Sequence, residues 1–204
     1  DKDSTTVDKY VPNFLENLNS NIKGKKVGIV KEFMNIGDKL EKDVQESFNN
    51  SIELLKKSGA EIIEVSIPTI TMSALMYMII SYTELGSNLS RYDGVRYGHR
   101  TKEKVSSLDD LYYKSRTEGF NENIKKRILL GYFLSSSENY EKYFMRGQKV
   151  RRKLVNEFIE AFKKIDIILT PSTVGIAFPI KQTEEELLKD KDSNYLNDFF
   201  AAPV

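Results

Sequence analysis

The sequence predicts an α/β fold, a sheet flanked by helices. Three observations carry this. A short apolar run, a helix-period stripe and a second, alternating apolar run follow one another within residues 25–67. Residues 72–165 are dominated by helical periodicity, and a third apolar run then stops at Pro171. Strand, helix and strand at this spacing form a βαβ unit, so its two strands should be parallel.

Taken in order, residues 1–24 are polar, with Pro12 and Asn/Ser clusters, and read as a surface linker. Val27, Ile29 and Val30 follow Gly24 and two lysines, a short buried strand. Leu40, Val44, Phe48, Ile52 and Leu55 recur every three or four residues, which puts them on one helix face. Gly59 closes that helix. Ile63, Val65 and Ile67 alternate with polar residues as a second strand, stopped by Pro68. Units of this kind serve unrelated functions, so this one reads as scaffold.

Residues 72–89 contain one charged residue, Glu84. Met72, Leu75, Met76, Tyr77, Ile79 and Ile80 cover more than one face, which predicts a buried helix. Its methionines suit core packing better than a pocket lining. The segment 91–100 mixes Tyr92 and Tyr97 with Gly94, Gly98 and the basic residues Arg91, Arg96, His99 and Arg100 in one loop. Two readings stay open for it: a binding element on a rigid scaffold, or a turn with solvated charges.

Residues 108–118 read as a short helix ended by Gly119. Asn121 is an N-cap for a helix from Glu122, with the acidic residue in its first turn. That helix carries Lys125, Lys126 and Arg127, then Ile128, Leu129 and Leu130. Ser135, Ser136 and Ser137 read as capping. Residues 138–165 read as one long amphipathic helix, with Tyr140, Tyr143, Phe144, Val150, Leu154, Phe158 and Phe162 on its buried face. Its basic run, 148–153, could touch RNA or an acidic partner but reads first as a solvated face. Residues 165–170 form the third strand. Residues 181–194 are charged, lack apolar spacing and read as an exposed insertion.

Composition excludes several chemistries. The chain has 204 residues, 31 Lys plus Arg, 30 Asp plus Glu and a net charge of +1, which argues against a nucleic-acid binder held by overall charge. Zero Cys excludes disulfides, thiolate zinc sites and cysteine nucleophiles. A single His excludes a multi-His metal site, and a Ser-His-Asp triad would have to use His99. No partner for His99 is visible from spacing. There is no GxxxxGK[ST], GxGxxG or GxSxG. Asp43 with Glu46, and the carboxylates 184–186, sit in polar runs and read as solvated. The most apolar run, 74–80, is far below the ~18 residues of a membrane span. The opening residues are no signal or transit peptide and lack an initiator Met, so the chain is expected to be a piece of a longer one.

Several segments together resemble the amidase signature family, and within it the tRNA amidotransferase branch. They are Ser87-Asn88-Leu89-Ser90-Arg91-Tyr92-Asp93-Gly94-Val95-Arg96-Tyr97-Gly98, Arg116-Thr117-Glu118-Gly119-Phe120, Lys126-Arg127-Ile128-Leu129-Leu130-Gly131, Gln148-Lys149-Val150-Arg151, Leu169-Thr170-Pro171 and Tyr195-Leu196-Asn197-Asp198. The opening Asp3-Ser4-Thr5 and Val11-Pro12-Asn13-Phe14 fit the same pattern.

The resemblance implies a partial amidase domain over 1–204, with a mixed central sheet flanked by helices. Its parts would be a linker (1–24), a βαβ unit (25–67), a helical layer (72–165) and a strand and pocket segment (166–204). It implies a Lys, a Ser with a cis peptide bond and a nucleophilic Ser, all upstream of residue 1, so no catalytic residue is expected here. Matching residue by residue, Arg127 would bind the α-carboxylate of glutamine, Asp198 its α-amino group, and Tyr77 would line the site. The parent would hydrolyse glutamine and pass the ammonia to a partner that converts Glu-tRNA(Gln) to Gln-tRNA(Gln). The implied partners are the B and C subunits of a heterotrimer, with tRNA met mainly through B and no membrane. No cofactor is expected on this chain; ATP and Mg would be used at the partner subunit. The place would be the cytoplasm or an organellar matrix. Glu138, where the family has Gly, and the 181–194 insertion depart from the pattern. A different amidase-signature amide hydrolase and a non-catalytic helical interaction module remain as alternatives.

Overall fold

The computed structural model describes residues 3–18, 21–36, 39–177 and 198–203. The insertion at 181–194 lies outside them. Residues 3–18 hold a turn at Ser4–Thr5, where the Thr6 amide donates to the Asp3 carbonyl at 3.1 Å, and one 3-10 turn, Phe14–Asn17, whose N-cap Asn13 accepts from the Leu15 amide. Residues 3–16 are exposed.

β1 (Lys26–Val30) and β2 (Glu61–Val65) pair in parallel, with Lys26 opposite Glu61 and Val30 opposite Val65. A short helix, α1 (Lys31–Met34), follows β1, and α2 (Lys42–Lys57) makes the crossover. Phe48 is buried on α2, with Val44 and Ile52 half-buried beside it, as the apolar stripe requires. Gly59 takes a φ of +89° just past the helix end, a conformation only glycine adopts without strain. β3 (Ile167–Leu169) adds to the other side of β1, giving the order β2-β1-β3. Asp166 ties this junction: its carboxylate accepts from the Lys26 amide and its own amide donates to the Lys26 carbonyl, each at 2.8 Å. All strand pairs among the described residues are parallel. Val27, Gly28 and Val30 are all buried, so both faces of the central strand are covered, the usual state of a parallel sheet.

The helical layer departs from the sequence reading at three places. First, Pro68–Met72 forms a 3-10 turn before α3 (Ser73–Leu89). It is capped by carboxylates from afar: Glu32 accepts from the Ile67 amide, and Glu157 from the amide and hydroxyl of Thr69. Second, α3 is not buried all round. Ala74, Met76 and Ile80 enter the core, while Leu75 and Tyr77 are half-exposed. Apolar residues on α3 outnumber the faces covered by its described neighbours, α5 (Glu122–Ser135) and α6 (Met145–Phe162). Third, 138–165 is not one helix. A π-helical turn, Tyr140–Phe144, precedes α6, and Tyr140 stacks on Phe144 at 5.2 Å between ring centres. Phe162 is half-exposed rather than buried.

α4 (Leu108–Gly119) and α5 start on side-chain caps, Ser107 to the Asp110 amide and Asn121 to the Ile124 amide. Ser135 and Ser136 donate back to carbonyls of α5, so they finish that helix and do not cap the next. The core joins Val30, Val65, Ile67, Ile70, Met76, Ile80, Leu154 and Ala161 with Phe199 and Phe200.

α3 and α5 cross closely because Gly86 and Gly131 meet there. A Cβ at Gly131 would fall inside the van der Waals shell of the Tyr82 backbone carbonyl. Alanine in a helix gains about 1 kcal/mol over glycine, but overpacking against rigid backbone costs about 1–3 kcal/mol. Gly131→Ala should therefore lower the urea midpoint of the purified protein, and Gly131→Val should lower it further. A raised midpoint would show that the helices are free to separate.

Candidate functional site

A cleft of about 390 Å³ opens between α3 and α6. Met76, Tyr77, Ile80, Ser81 and Glu84 form one wall, Arg151, Leu154, Val155 and Phe158 the other, and Ala202 and Pro203 close it. Helical spacing explains the first wall, since 77, 80, 81 and 84 fall on one face of α3. The helices come near each other at Gly147, where a Cβ would stand 3.2 Å from the Ile79 side chain.

Of the three residues the sequence singles out, Tyr77 lines the cleft, while Asp198 opens the turn whose later residues close it. Tyr77 is 52% exposed. The Asp198 carbonyl accepts from the Ala201 and Ala202 amides at 3.1 and 2.7 Å. Its side chain is exposed. The turn is anchored by the next two residues: Phe199 and Phe200 are buried edge-on against Phe33, at 5.4 and 5.1 Å. Sequence reasoning missed this anchor, although an adjacent Phe pair beside a polar segment was its signal.

Arg127 stands apart from that wall. It is exposed on α5, and its guanidinium lies 5.4 Å from the centre of the Tyr82 ring. Tyr82 follows Tyr77 by five residues, about 140° round the helix at 100° per residue. Arg127 therefore packs on the helix that bears Tyr77 but is not among the residues lining the cleft. The cleft's own charges are Glu84 and Arg151, and neither makes an ion pair among the described residues. Glu84 was legible as the lone charge in an apolar helix. Arg151 was hidden in a basic run. The other exposed members of that run, Lys149, Arg152 and Lys153, are solvated as expected.

The loop 91–104 lies on α4. His99 has a partner that spacing did not show: its Nε2 is 2.6 Å from Glu118 Oε2. The other oxygen of Glu118 accepts from the Thr101 hydroxyl at 2.6 Å. Those two hydrogen bonds, Thr101 first and His99 second, hold the Glu118 carboxyl below its ordinary range. Asp93 accepts from the backbone amides of Val95 and Arg96, and these bonds, with the Arg96 guanidinium at 3.2 Å, lower its pKa to about 2.

Asp93 thus favours the folded state while it is ionised. Its folded pKa lies below the ordinary value, so that contribution is present above about pH 4 and is lost as pH falls toward 2. Asp93→Asn should melt lower than the unaltered protein at pH 6, and the gap should close between pH 4 and 2. Melting curves at a series of pH values check this; a gap that does not change with pH would assign the effect to something other than the carboxylate.

No group of three or more His, Asp or Glu residues among the described residues could hold a metal ion. No described helix is long and apolar enough to cross a membrane. Among the other hollows of the described residues, one of about 570 Å³ with mixed charge is bounded by Lys31, Glu64 and Lys164, and an apolar one of about 490 Å³ beside β3 shares Phe158 and Pro203 with the cleft.

A small parallel sheet flanked by a helical layer has counterparts among known proteins. The amidase family profile matches residues 1–204, and the chain belongs to the amidase family. Among curated relatives it is 43% identical over 204 residues to the A subunit of the glutamyl-tRNA(Gln) amidotransferase of Pelagibacter ubique, and 42% identical over 203 residues to that of Persephonella marina. Each alignment covers 100% of this chain and 40% of the relative, so the chain spans about two fifths of their length. Among solved structures, the corresponding glutamyl-tRNA(Gln) amidotransferase chain of Thermotoga maritima superposes with a TM-score of 0.63 at 29% identity, covering 98% of this chain and 37% of that one. An amidase at 18% identity, with a TM-score of 0.59 and coverage of 89% and 37%, shares the fold.

Proposed function

We propose that this chain is part of the glutamine-hydrolysing subunit of a glutamyl-tRNA(Gln) amidotransferase. The observation that carries this is identity above 40% along the whole chain to proteins that bear the name of that enzyme's A component. In this reading the parent hydrolyses glutamine, and the ammonia serves an ATP-dependent conversion of Glu-tRNA(Gln) to Gln-tRNA(Gln). The B and C subunits are its partners, tRNA is held mainly by B, and ATP with magnesium acts at the partner. The work is done in the cytoplasm or an organellar matrix.

This chain supplies the substrate side. Glutamine presents a zwitterionic head and a neutral carboxamide. Arg127 offers a planar fork that matches the α-carboxylate. Asp198 offers an acceptor to the α-ammonium, from a turn fixed by Phe199 and Phe200. Tyr77 walls the cleft that the turn after Asp198 closes. The head group is thereby oriented and the carboxamide carbon is left open to a serine nucleophile supplied by the family's signature, which is not among these residues. Orientation of this kind is worth much of a rate enhancement without any chemistry by the orienting groups.

The test compares glutamine-dependent with ammonia-dependent formation of Gln-tRNA by the complex built on the whole subunit. Both should be observed. Ammonia-dependent product without glutamine-dependent product, in an intact complex, would remove glutamine hydrolysis from this subunit.

A further inference from the structure

We propose that Glu157 is a positioning residue for the cleft: through Thr69 it fixes how far the Tyr77 wall on α3 stands from α6. This rests on the reading above that Tyr77 walls the cleft in which glutamine is held, and the test below separates the two.

Glu157 lies on α6, and both of its oxygens are spent on one residue 88 positions away. Oε2 accepts from the Thr69 amide at 2.9 Å and Oε1 from the Thr69 hydroxyl at 2.7 Å. Thr69 is buried, and the Glu157 side chain is 19% exposed. Two charge-assisted bonds to one partner fix an orientation as well as a distance, which a single exposed bond does not. Lys153, 4.0 Å from Glu157, belongs to the same helix and so ties α6 to nothing else. Both ends of the Glu157–Thr69 tie lie within this chain.

Thr69 can pass that constraint on because its surroundings are rigid. It sits in the turn Pro68–Met72, between Ile67 and Ile70, which are fully buried. Pro68 has a fixed φ. The Ile67 amide is held by Glu32, and the buried Ser73 hydroxyl donates to the Ile70 carbonyl at 2.6 Å. The turn runs into α3 with no residue between them, and Tyr77 is about one helical turn past the start of α3. Along α6, the cleft residues Arg151, Leu154 and Val155 lie between two attachments to this segment. One is Glu157 on Thr69. The other is Gly147, where a Cβ would stand 3.2 Å from the Ile79 side chain. The second is apolar packing, which has no preferred direction. The first is directional, so it sets the spacing of the two walls.

The test is steady-state kinetics of the complex built on the whole subunit. In Glu157→Ala, KM for glutamine should rise about tenfold or more, the scale on which a displacement near 1 Å is felt by an oriented substrate. Ammonia-dependent formation of Gln-tRNA should be unchanged. Glu157→Gln keeps the length and one acceptor, and the Thr69 hydroxyl can turn to accept from the amide, so this variant should recover most of the lost KM. KM decides because it does not depend on how much of the subunit is folded. A lower melting point in Glu157→Ala with KM unchanged would make the carboxylate a helix-start cap and overturn the proposal. Thr69→Val keeps the amide bond and drops the hydroxyl, so KM should rise in the same direction by less. Where Glu157→Ala does not fold, an unchanged KM in Thr69→Val overturns the proposal instead. If the unaltered complex uses ammonia but not glutamine, the functional reading falls too; if it uses glutamine and these variants leave KM alone, only this inference falls.

Discussion

In the whole subunit, Arg127→Ala is expected to lower kcat/KM for glutamine by roughly 30- to 5000-fold. The figure follows from about 2–5 kcal/mol for removing one partner of a desolvated charge pair, at ~1.4 kcal/mol per factor of ten. The folded state should lose much less. Arg127 is exposed, and its contact within this chain is the Tyr82 ring at 5.4 Å. An exposed cation–π contact contributes about 0.5–1 kcal/mol, so the catalytic loss should dominate. Arg127→Lys should restore only part of the activity. An ammonium keeps the charge but cannot form two parallel hydrogen bonds to a carboxylate. Ammonia-dependent formation of Gln-tRNA should survive in both variants, because it bypasses glutamine. If glutamine-dependent and ammonia-dependent rates fall together, Arg127 supports assembly. If neither falls, it is a surface cation resting on Tyr82.

The position of Arg127 also shows where sequence reasoning stops. Its place on a helix was readable from Asn121, which caps α5 as the pattern Asn-Glu requires. Its distance from the cleft was not, because that depends on which face of α3 receives α5. The choice is made by Gly86 and Gly131, two small residues whose contact spans 45 positions and leaves no periodic signal. The βαβ unit was legible for the opposite reason. Its strands, its helix stripe and Gly59 are local patterns, and the parallel pairing follows from the handed crossover. β3 was legible as an apolar run, but its place beside β1 rests on the pairing of Asp166 with Lys26, 140 positions apart. The π-turn at Tyr140–Phe144 was invisible because one inserted residue hardly disturbs an amphipathic stripe. The openness of α3 was misjudged because periodicity reports which residues are apolar, not how many neighbours are present to cover them.

The cleft combines both kinds of information. Tyr77 was named from a family pattern, and Phe199 with Phe200 were not named at all. Yet the two phenylalanines anchor in the core the turn whose Ala202 and Pro203 close the cleft beside Tyr77. Phe200 is among the most completely buried side chains of the molecule. A polar binding segment held by an adjacent apolar pair is a common physical solution, since a loop without buried anchors would have to be ordered by its ligand.

The 204-residue chain by itself should hydrolyse no glutamine. Covalent amide hydrolysis needs a nucleophile, an activating base within hydrogen-bond reach and donors for the developing oxyanion. The chain has no Cys, so the nucleophile would have to be a hydroxyl. Its one His is held by Glu118 at 2.6 Å, and no serine hydroxyl is hydrogen-bonded to it among the described residues. Ser115, on the same helix as Glu118, is spent on the Thr101 amide. Ser81 lines the cleft, but no base stands within hydrogen-bond distance of its hydroxyl. Glu84 and Arg151, the cleft's charges, could orient a zwitterion but could not form an acyl intermediate. The chain can therefore be expected to hold parts of a substrate and to do no chemistry on it. A sensitive ammonia assay on the purified chain should read the buffer blank, while addition of a serine-reactive inhibitor changes nothing. Turnover above the blank that the inhibitor abolishes, and that persists after His99→Ala removes the single imidazole, would prove that a nucleophile lies within these residues and that the substrate-side role assigned to them is incomplete.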